Sequence, residues 1–342
     1  MENIEFNFDG TDYAIIKFGN SISPQINERV RSVCEYFESL SQKKELPDSI
    51  VEWVPTYCTV CVYYNPLRIS LAKIKKILYE SVKFNGAAKG NSGTLHEIPV
   101  CYEDEFSPDM KNVCAHSGLS KEEVVAAHTS PAYTVYMLGF LPGFAYLGGM
   151  DERLETPRLE VPRVKIPAGS VAIGGRQTGV YPVDSPGGWQ IIGRTNVKPY
   201  DVFRNPKILF RAGDKIKFRA VTKDEFALLE KQSVGEDSCG GECAKERYVA
   251  TSGIKILYAG AGTFIETSGV RGLQKDGFNC GGAMDECAMI LANIIAGNIP
   301  KAAVLESTLL GPEVEFNGEC DFCITGADQN ATLDGTPVAL YT

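Results

Sequence analysis

The chain has 342 residues, with 34 Lys and Arg against 43 Asp and Glu, 44% hydrophobic and 10% aromatic residues, and a formal charge of -9. At about 100–200 residues per domain this length implies two or three domains, and the composition excludes wholesale disorder and a collagen-like repeat. The acidic balance argues against nucleic acid as a partner, because neutralising phosphates needs a basic face, so a small-molecule substrate and protein partners are expected. No apolar stretch approaches the roughly 20 residues of a bilayer span, and Met1 to Phe8 has no signal layout, so the expectation is a cytoplasmic chain without membrane contact.

Residues 1–90 read as an α+β domain. Ala14 to Phe18 is strand-like; Ser23 and Pro24 supply a helix cap and first-turn proline ahead of Ile26, Val30, Val33, Phe37 and Leu40 on one helical face. Ile50 to Val54 and Tyr57 to Tyr64 form a strand pair, and Leu71, Ile74, Leu78 and Val82 return to helical spacing. The resulting β-α-β-β-α order is most of a ferredoxin-like pattern.

Lys89 to Gly93 is a polar joint into a second domain, residues 91–231. One short helix is legible there, where Ser120 and Glu123 form a capping box and His128 falls at the C-terminal end. From Tyr133 to Arg219, short β-rich runs alternate with Gly and Pro, as in a β-barrel or sandwich with elaborated loops. Lys223 to Lys231 reads as helix and residues 232–253 as a linker. The last segment, 254–342, opens with strand-like Ile254 to Tyr258, a turn at Gly260 to Gly262 and a helix from about Asp285 to Ala296, and Leu340 to Thr342 again reads as strand.

Eleven cysteines without an export signal suggest reduced thiols. Cys58 with Cys61, and Cys320 with Cys323, have zinc-knuckle spacing, but residues three apart in a strand point to opposite faces, so no metal site is expected. Cys239 and Cys243 lie in the Gly-containing linker, the one pair flexible enough to chelate.

Only three histidines are available for acid–base chemistry, and His96 and His116 have no obvious partner motif. His128 sits where a helix dipole favours imidazolium; it either assists chemistry or merely caps its helix. No P-loop, Rossmann fingerprint or Gly-x-Ser-x-Gly elbow occurs. Between Tyr133 and Thr195, however, hydroxyl, amide and guanidinium side chains crowd among glycines, which suits either a site for a small carboxylate- and amide-bearing ligand or a set of plain turns.

The runs Gly139-Phe-Leu-Pro-Gly-Phe-Ala-Tyr-Leu-Gly-Gly149, Pro157-Arg158, Pro162-Arg163, Pro167-Ala-Gly-Ser-Val-Ala-Ile173, Gln177-Thr-Gly-Val-Tyr-Pro182 and Ser185-Pro-Gly-Gly-Trp-Gln-Ile-Ile-Gly-Arg-Thr195 closely resemble the family of the bacterial 5-oxoprolinase B subunit, which includes Kip inhibitors of sporulation kinases and allophanate-hydrolase subunit 1 regions. The likeness covers about residues 10–222. The tail resembles the opening of the 5-oxoprolinase C subunit, most plainly at Gly282-Ala-Met-Asp285, Leu291-Ala-Asn293, Glu306 to Gly311 and Thr325-Gly-Ala-Asp328. It departs from that family at Glu266, Thr267, Gly269 and Val270, where a Gln-Asp and a following Gly-Arg are usual.

This resemblance implies a ferredoxin-like N-terminal domain, a cyclophilin-like β-barrel and a partial second cyclophilin-like module. It implies a component of an ATP-dependent 5-oxoprolinase that opens 5-oxo-L-proline to L-glutamate, using ATP with Mg2+ and acting with A-like and remaining C-like 5-oxoprolinase subunits; a homo-oligomer is left open. The alternatives are a Kip-type inhibitor docking on a histidine kinase and a urea carboxylase-type module acting on a small amide. The matching positions would place Gln177, Thr178 and Tyr181 at the amide, His128 in proton transfer, Phe140, Tyr146 and Trp189 as an apolar wall, Arg194 on the substrate carboxylate, Ser170, Ser185 and Thr195 as further contacts, and Asp285 and Glu306 completing the pocket.

Overall fold

The computed structural model describes residues 4–84, 93–236 and 253–339. Cys239 and Cys243, most of the 232–253 linker and Leu340 to Thr342 lie outside those residues. The chain divides into two compact units: residues 1–239 with Arg271–Asn279, and residues 240–270 with 280–342.

The first unit begins with a lobe of β1 (Glu5–Asn7), β2 (Tyr13–Lys17), α1 (Pro24–Gln42), β3 (Ile50–Pro55), β4 (Thr59–Tyr64) and α2 (Leu71–Ser81). Its antiparallel sheet has the order β1-β2-β4-β3. Helix α1 starts where expected: Ser23 Oγ accepts the Ile26 N–H at 3.1 Å, and Pro24 occupies the first turn, where a missing N–H costs nothing. Ile26, Val30, Val33 and Phe37 then bury against the sheet with Ile74 and Leu78 of α2, whereas Leu71, beside the Ser70 cap, stays 47% exposed. The β-α-β-β-α succession is present. The fourth sheet position, beside β2, is filled by the preceding strand β1 rather than by one following α2.

Next come β5 (Leu95–Cys101), α3 (Met110–Ser117), α4 (Lys121–Thr129), β6 (Ala132–Leu138), β7 (Ala145–Gly148), β8 (Arg163–Ile166), β9 (Ser170–Gly174), β10 (Gln177–Val180), β11 (Ser185–Gly187), β12 (Gln190–Arg194), β13 (Lys215–Val221) and α5 (Lys223–Glu236). Seven of these strands close a barrel in the order β10-β7-β6-β13-β5-β12-β9, and β8 pairs with β11 in a separate ribbon. Closure resolves the choice between barrel and sandwich. Strand β9 is buried at every residue, and Val100, Tyr133, Val135, Ile192 and Phe218 are at most 1% exposed. The capping box at α4 forms as its sequence predicts, with Glu123 N–H on Ser120 Oγ and Ser120 N–H on Glu123 Oε2. Helix α3 carries no such signal because Asp109, at its N-cap, turns its carboxylate elsewhere: it accepts the Ile191 N–H and an Arg163 N–H, each at 2.7 Å.

The second unit holds β14 (Ile254–Tyr258), β15 (Thr263–Glu266), α6 (Glu286–Ile295), β16 (Val304–Ser307) and β17 (Glu313–Phe316), with a small hairpin at Thr332–Pro337. Among the described residues its strands form two-stranded pairs, β14 with β17 and β15 with β16. The segment Arg271–Asn279 belongs to the first unit, where Gln274 N–H donates to Glu52 Oε2 at 3.2 Å and Phe278 meets Tyr200 edge-on. Among the described residues no helix is long and apolar enough to cross a membrane.

Candidate functional site

The sequence-expected residues separate into four places. The first is an aromatic cluster on the barrel. Phe144 lies 5.1 Å from Tyr146, 5.4 Å from Trp189 and 5.5 Å from Tyr181 and Phe140, ring centre to ring centre, in edge-on geometry favoured by ring quadrupoles. Phe140, held at φ 67°, leaves its ring 48% exposed at the edge of the cluster. Two glycines make these approaches possible: a Cβ on Gly174 would sit 2.5 Å from Trp189 Nε1, and one on Gly187 would sit 2.5 Å from the Tyr181 hydroxyl. They seat the rings and do not merely turn the chain.

Gln177 opens β10 beside this cluster, and its carboxamide donates to the hydroxyl of Tyr57. Tyr57 comes from the turn between β3 and β4 of the N-terminal lobe, and its ring meets Tyr146 at 5.8 Å and Tyr136 at 6.1 Å. Nothing in the sequence marks Tyr57, because a lone tyrosine in a strand turn has no pattern; only lobe-to-barrel packing brings it here. Arg158 belongs to a Pro-Arg pair whose sequence gives it no role, yet its guanidinium stands 5.8 Å from the centre of the Trp189 ring. Burial pushes the phenols of Tyr57, Tyr146 and Tyr181 upward in pKa, while the Arg158 charge opposes that shift at all three. These phenols therefore keep their protons at neutral pH and do not act there as bases.

The second place is the barrel interior, which holds His128 and Thr178, both 0% exposed. Thr178 Oγ1 donates to the Ala172 carbonyl at 3.1 Å, so it accepts from His128 Nε2 at 2.8 Å, and Nδ1 accepts the Tyr102 hydroxyl at 2.7 Å. The ring stacks on Phe218 at 4.6 Å. Desolvation lowers the His128 pKa to about 3, which overrides the helix-end preference for imidazolium. With both nitrogens engaged and no access to solvent, His128 holds the core together; the proton-transfer role expected from sequence does not fit it. Thr178 likewise supports His128 rather than reaching an amide ligand. His96, without a sequence partner, finds Asp214 Oδ2 at 3.1 Å, supplied from 118 residues away.

The third place gathers Ser170, Arg194 and Thr195 around Gly169. Arg194 pairs with Ser170 across β12 and β9, Ser170 Oγ donates to the Pro167 carbonyl at 2.7 Å, and the Thr195 hydroxyl accepts the Val197 N–H at 3.1 Å. Gln177 pairs with Gly174, at the other end of β9. Four residues at about 3.3 Å each separate those register positions by roughly 13 Å. Arg194 acts electrostatically on Asp184, whose carboxyl it helps hold below the usual range after Lys165 and the Ala168 N–H. Ser185, on β11, is buried with a hydroxyl that has no partner among the described residues.

The fourth place is in the second unit, where Asp285 and Glu306 serve local structure. Asp285 caps α6 by accepting the Ala288 N–H at 2.8 Å, and Glu306 accepts the N–H groups of Met284 and Asp285 at 2.9–3.2 Å. Among the described residues no group of three or more His, Cys, Asp or Glu side chains is placed to hold a metal ion.

Residues 4–210 match the carboxyltransferase domain, subdomains C and D. The chain belongs to that family. Residues 276–342 match the same domain's subdomains A and B. The chain is 38% identical over 234 residues to the 5-oxoprolinase B subunit of Bacillus subtilis, covering 66% of this chain and 95% of that protein. It is 38% identical over 85 residues to the 5-oxoprolinase C subunit of Escherichia coli, covering 25% of this chain and 27% of that protein. A solved structure, TTHA0988, superposes with a TM-score of 0.68 at 28% identity over 89% of this chain; the chain spans 57% of that protein's length. The urea carboxylase of Kluyveromyces lactis shares the fold, with a TM-score of 0.53 at 17% identity over 67% of this chain and 23% of that one.

Proposed function

We propose that this carboxyltransferase-family chain is a component of an ATP-dependent 5-oxoprolinase, hydrolysing the cyclic amide of 5-oxo-L-proline to L-glutamate together with A-like and further C-like subunits. The observation that carries the reading is the Gln177–Tyr57 pair set beside the Phe140–Tyr146–Tyr181–Trp189 cluster, within the part of the chain similar to the 5-oxoprolinase B subunit. The similarity of residues in the tail to the C subunit supports one chain carrying parts of both.

A five-membered lactam is an unreactive amide, and its opening needs the carbonyl oxygen polarised and the ring fixed in place. Because one Gln177 Nε2–H is given to the Tyr57 oxygen, the Tyr57 O–H remains as a donor to a ligand oxygen, and Gln177 Oε1 would accept a ligand N–H. Phe140 and the half-buried Tyr146 would offer apolar surface to the ring carbons, backed by the buried rings of Phe144, Tyr181 and Trp189. With His128 neutral and sealed in the barrel, this group of side chains binds and polarises but supplies no strong base. That division fits a reaction in which ATP with Mg2+, bound in the assembled enzyme, supplies activation of the amide oxygen.

The test is glutamate release from 5-oxo-L-proline, with ATP, by the full chain alone and with its partner subunits. Turnover is expected only in the assembly, and Gln177→Ala is expected to reduce kcat/KM at least tenfold, as loss of one preorganised polar contact does. Unchanged turnover in Gln177→Ala would remove the proposed site.

A further inference from the structure

We infer that Arg158, and not Arg194, is the group that grips the carboxylate of the ring substrate. The inference rests on the reading of this site as one for a small cyclic amide acid, and it names the specificity-determining contact within it. Three observations converge on Arg158. Its backbone is clamped on both sides: the Pro157 carbonyl accepts Gln190 Nε2 at 2.9 Å, and the Leu159 N–H donates to the Gly188 carbonyl at 2.7 Å. Gln190 is itself held through Asn112, at 3.3 Å. A segment fastened in this way presents an exposed side chain from a fixed base, which reduces the ordering cost of binding.

The guanidinium is also placed in the right company. It lies over Trp189, which contacts Phe144 and Tyr181, and Phe144 leads through Tyr146 to Tyr57 and Gln177. The cation and the amide-recognising pair are therefore linked through an unbroken series of ring contacts.

Finally, Arg158 has no acidic partner among the described residues, whereas several other arginines of the first unit are committed. Arg163 pairs with Asp109, Arg176 with Glu152 and Glu155, Arg153 with Asp151, and Arg219 with Glu97 and Glu225. Arg194 stands at the far end of β9 from Gln177, beside Asp184. A planar guanidinium without a carboxylate partner, held at the edge of the aromatic cluster, is suited to a two-point grip on a carboxylate.

The test is calorimetric titration of the full chain, with its partner subunits, by 5-oxo-L-proline and by 2-pyrrolidinone, the same ring without the carboxylate. Arg158→Met is expected to weaken 5-oxo-L-proline binding about 10- to 100-fold, the worth of a charge-assisted contact, while leaving 2-pyrrolidinone binding unchanged; Arg158→Lys should recover part of the loss. Since Arg158 is exposed, an unaltered thermal midpoint will separate lost binding from lost folding. Wild-type binding that persists undiminished in Arg158→Met, or that is lost in Arg194→Met instead, overturns the assignment and leaves the 5-oxoprolinase reading standing. Absence of 5-oxo-L-proline binding by the wild-type assembly overturns that reading and this inference with it.

Discussion

Strands of similar apolar content meet opposite fates in the two units. Val-Ala-Ile of β9 is fully buried because both neighbours, β10 and β12, continue into a closed barrel. Ile-Lys-Ile-Leu-Tyr of β14 has one partner strand and is exposed at every residue, and α6, the most apolar of the described helices, buries only Met289 and Asn293. Phe264, Ile265, Ile294, Ile295, Leu309 and Leu310 are likewise more than half exposed. The lesson is that strand sequence creates a demand for burial and closure meets it. Among the described residues, with two-stranded pairs in place of a closed sheet, the second unit leaves each of these strands one edge and many apolar side chains in contact with water.

The largest expected effect tests this contrast directly. Phe218→Ala empties a fully buried site against His128 and Tyr133 and should lower the free energy of unfolding by about 3–5 kcal/mol. Leu257→Ala, at a residue 51% exposed, should change it by less than about 0.5 kcal/mol. Urea denaturation followed by far-ultraviolet circular dichroism reads both. A loss above about 1 kcal/mol for Leu257→Ala would mean that the second unit's faces are covered in solution.

Next in size is the pH dependence built into the barrel interior. His128 is neutral in the folded chain down to about pH 3, while its unfolded pKa is about 6.5. Below about 6.5 the unfolded chain binds the extra proton, so the stability that is fully present above that pH is lost as the pH falls toward 3, at up to about 1.4 kcal/mol per unit. Measuring stability between about pH 7 and pH 5 in wild type and His128→Gln should show a steeper decline in wild type. Equal slopes would mean that the ring is hydrated and the interior less closed than its packing implies.

The smallest effect concerns local structure, where both units should behave alike. Removing the cap of α4 by Ser120→Ala, or of α6 by Asp285→Ala, should each cost about 1 kcal/mol, because each leaves a helix N–H without its side-chain acceptor. The thermal midpoint of each variant checks this. A much larger loss for Asp285→Ala would point to a role for that carboxylate beyond its helix.

Caps and helical faces were legible because they depend on residues three or four apart: Ser23 with Pro24, Ser120 with Glu123, and the row from Ile26 to Phe37 all formed as the spacing predicts. Helix α3 escaped because Asp109, its natural cap, is drawn to Ile191 and Arg163 instead. In the candidate site, the family motifs named Gln177, Tyr146, Tyr181 and Trp189, which the fold brings into one neighbourhood, but they gave Thr178 and His128 roles that a buried mutual hydrogen bond takes up.

By itself the sequence determined the local elements, the family resemblance and the chain segment in which polar and aromatic groups concentrate, since these follow from short-range spacing and ordered motifs. Only the tertiary structure decided which strand fills the fourth place in the sheet, that the barrel closes, that His128 is dehydrated and neutral, and that Tyr57 and Arg158 stand beside Gln177 and Trp189. These depend on contacts between residues far apart in the chain, and neither dehydration nor ring-to-ring proximity exists until the barrel and lobe have closed on one another.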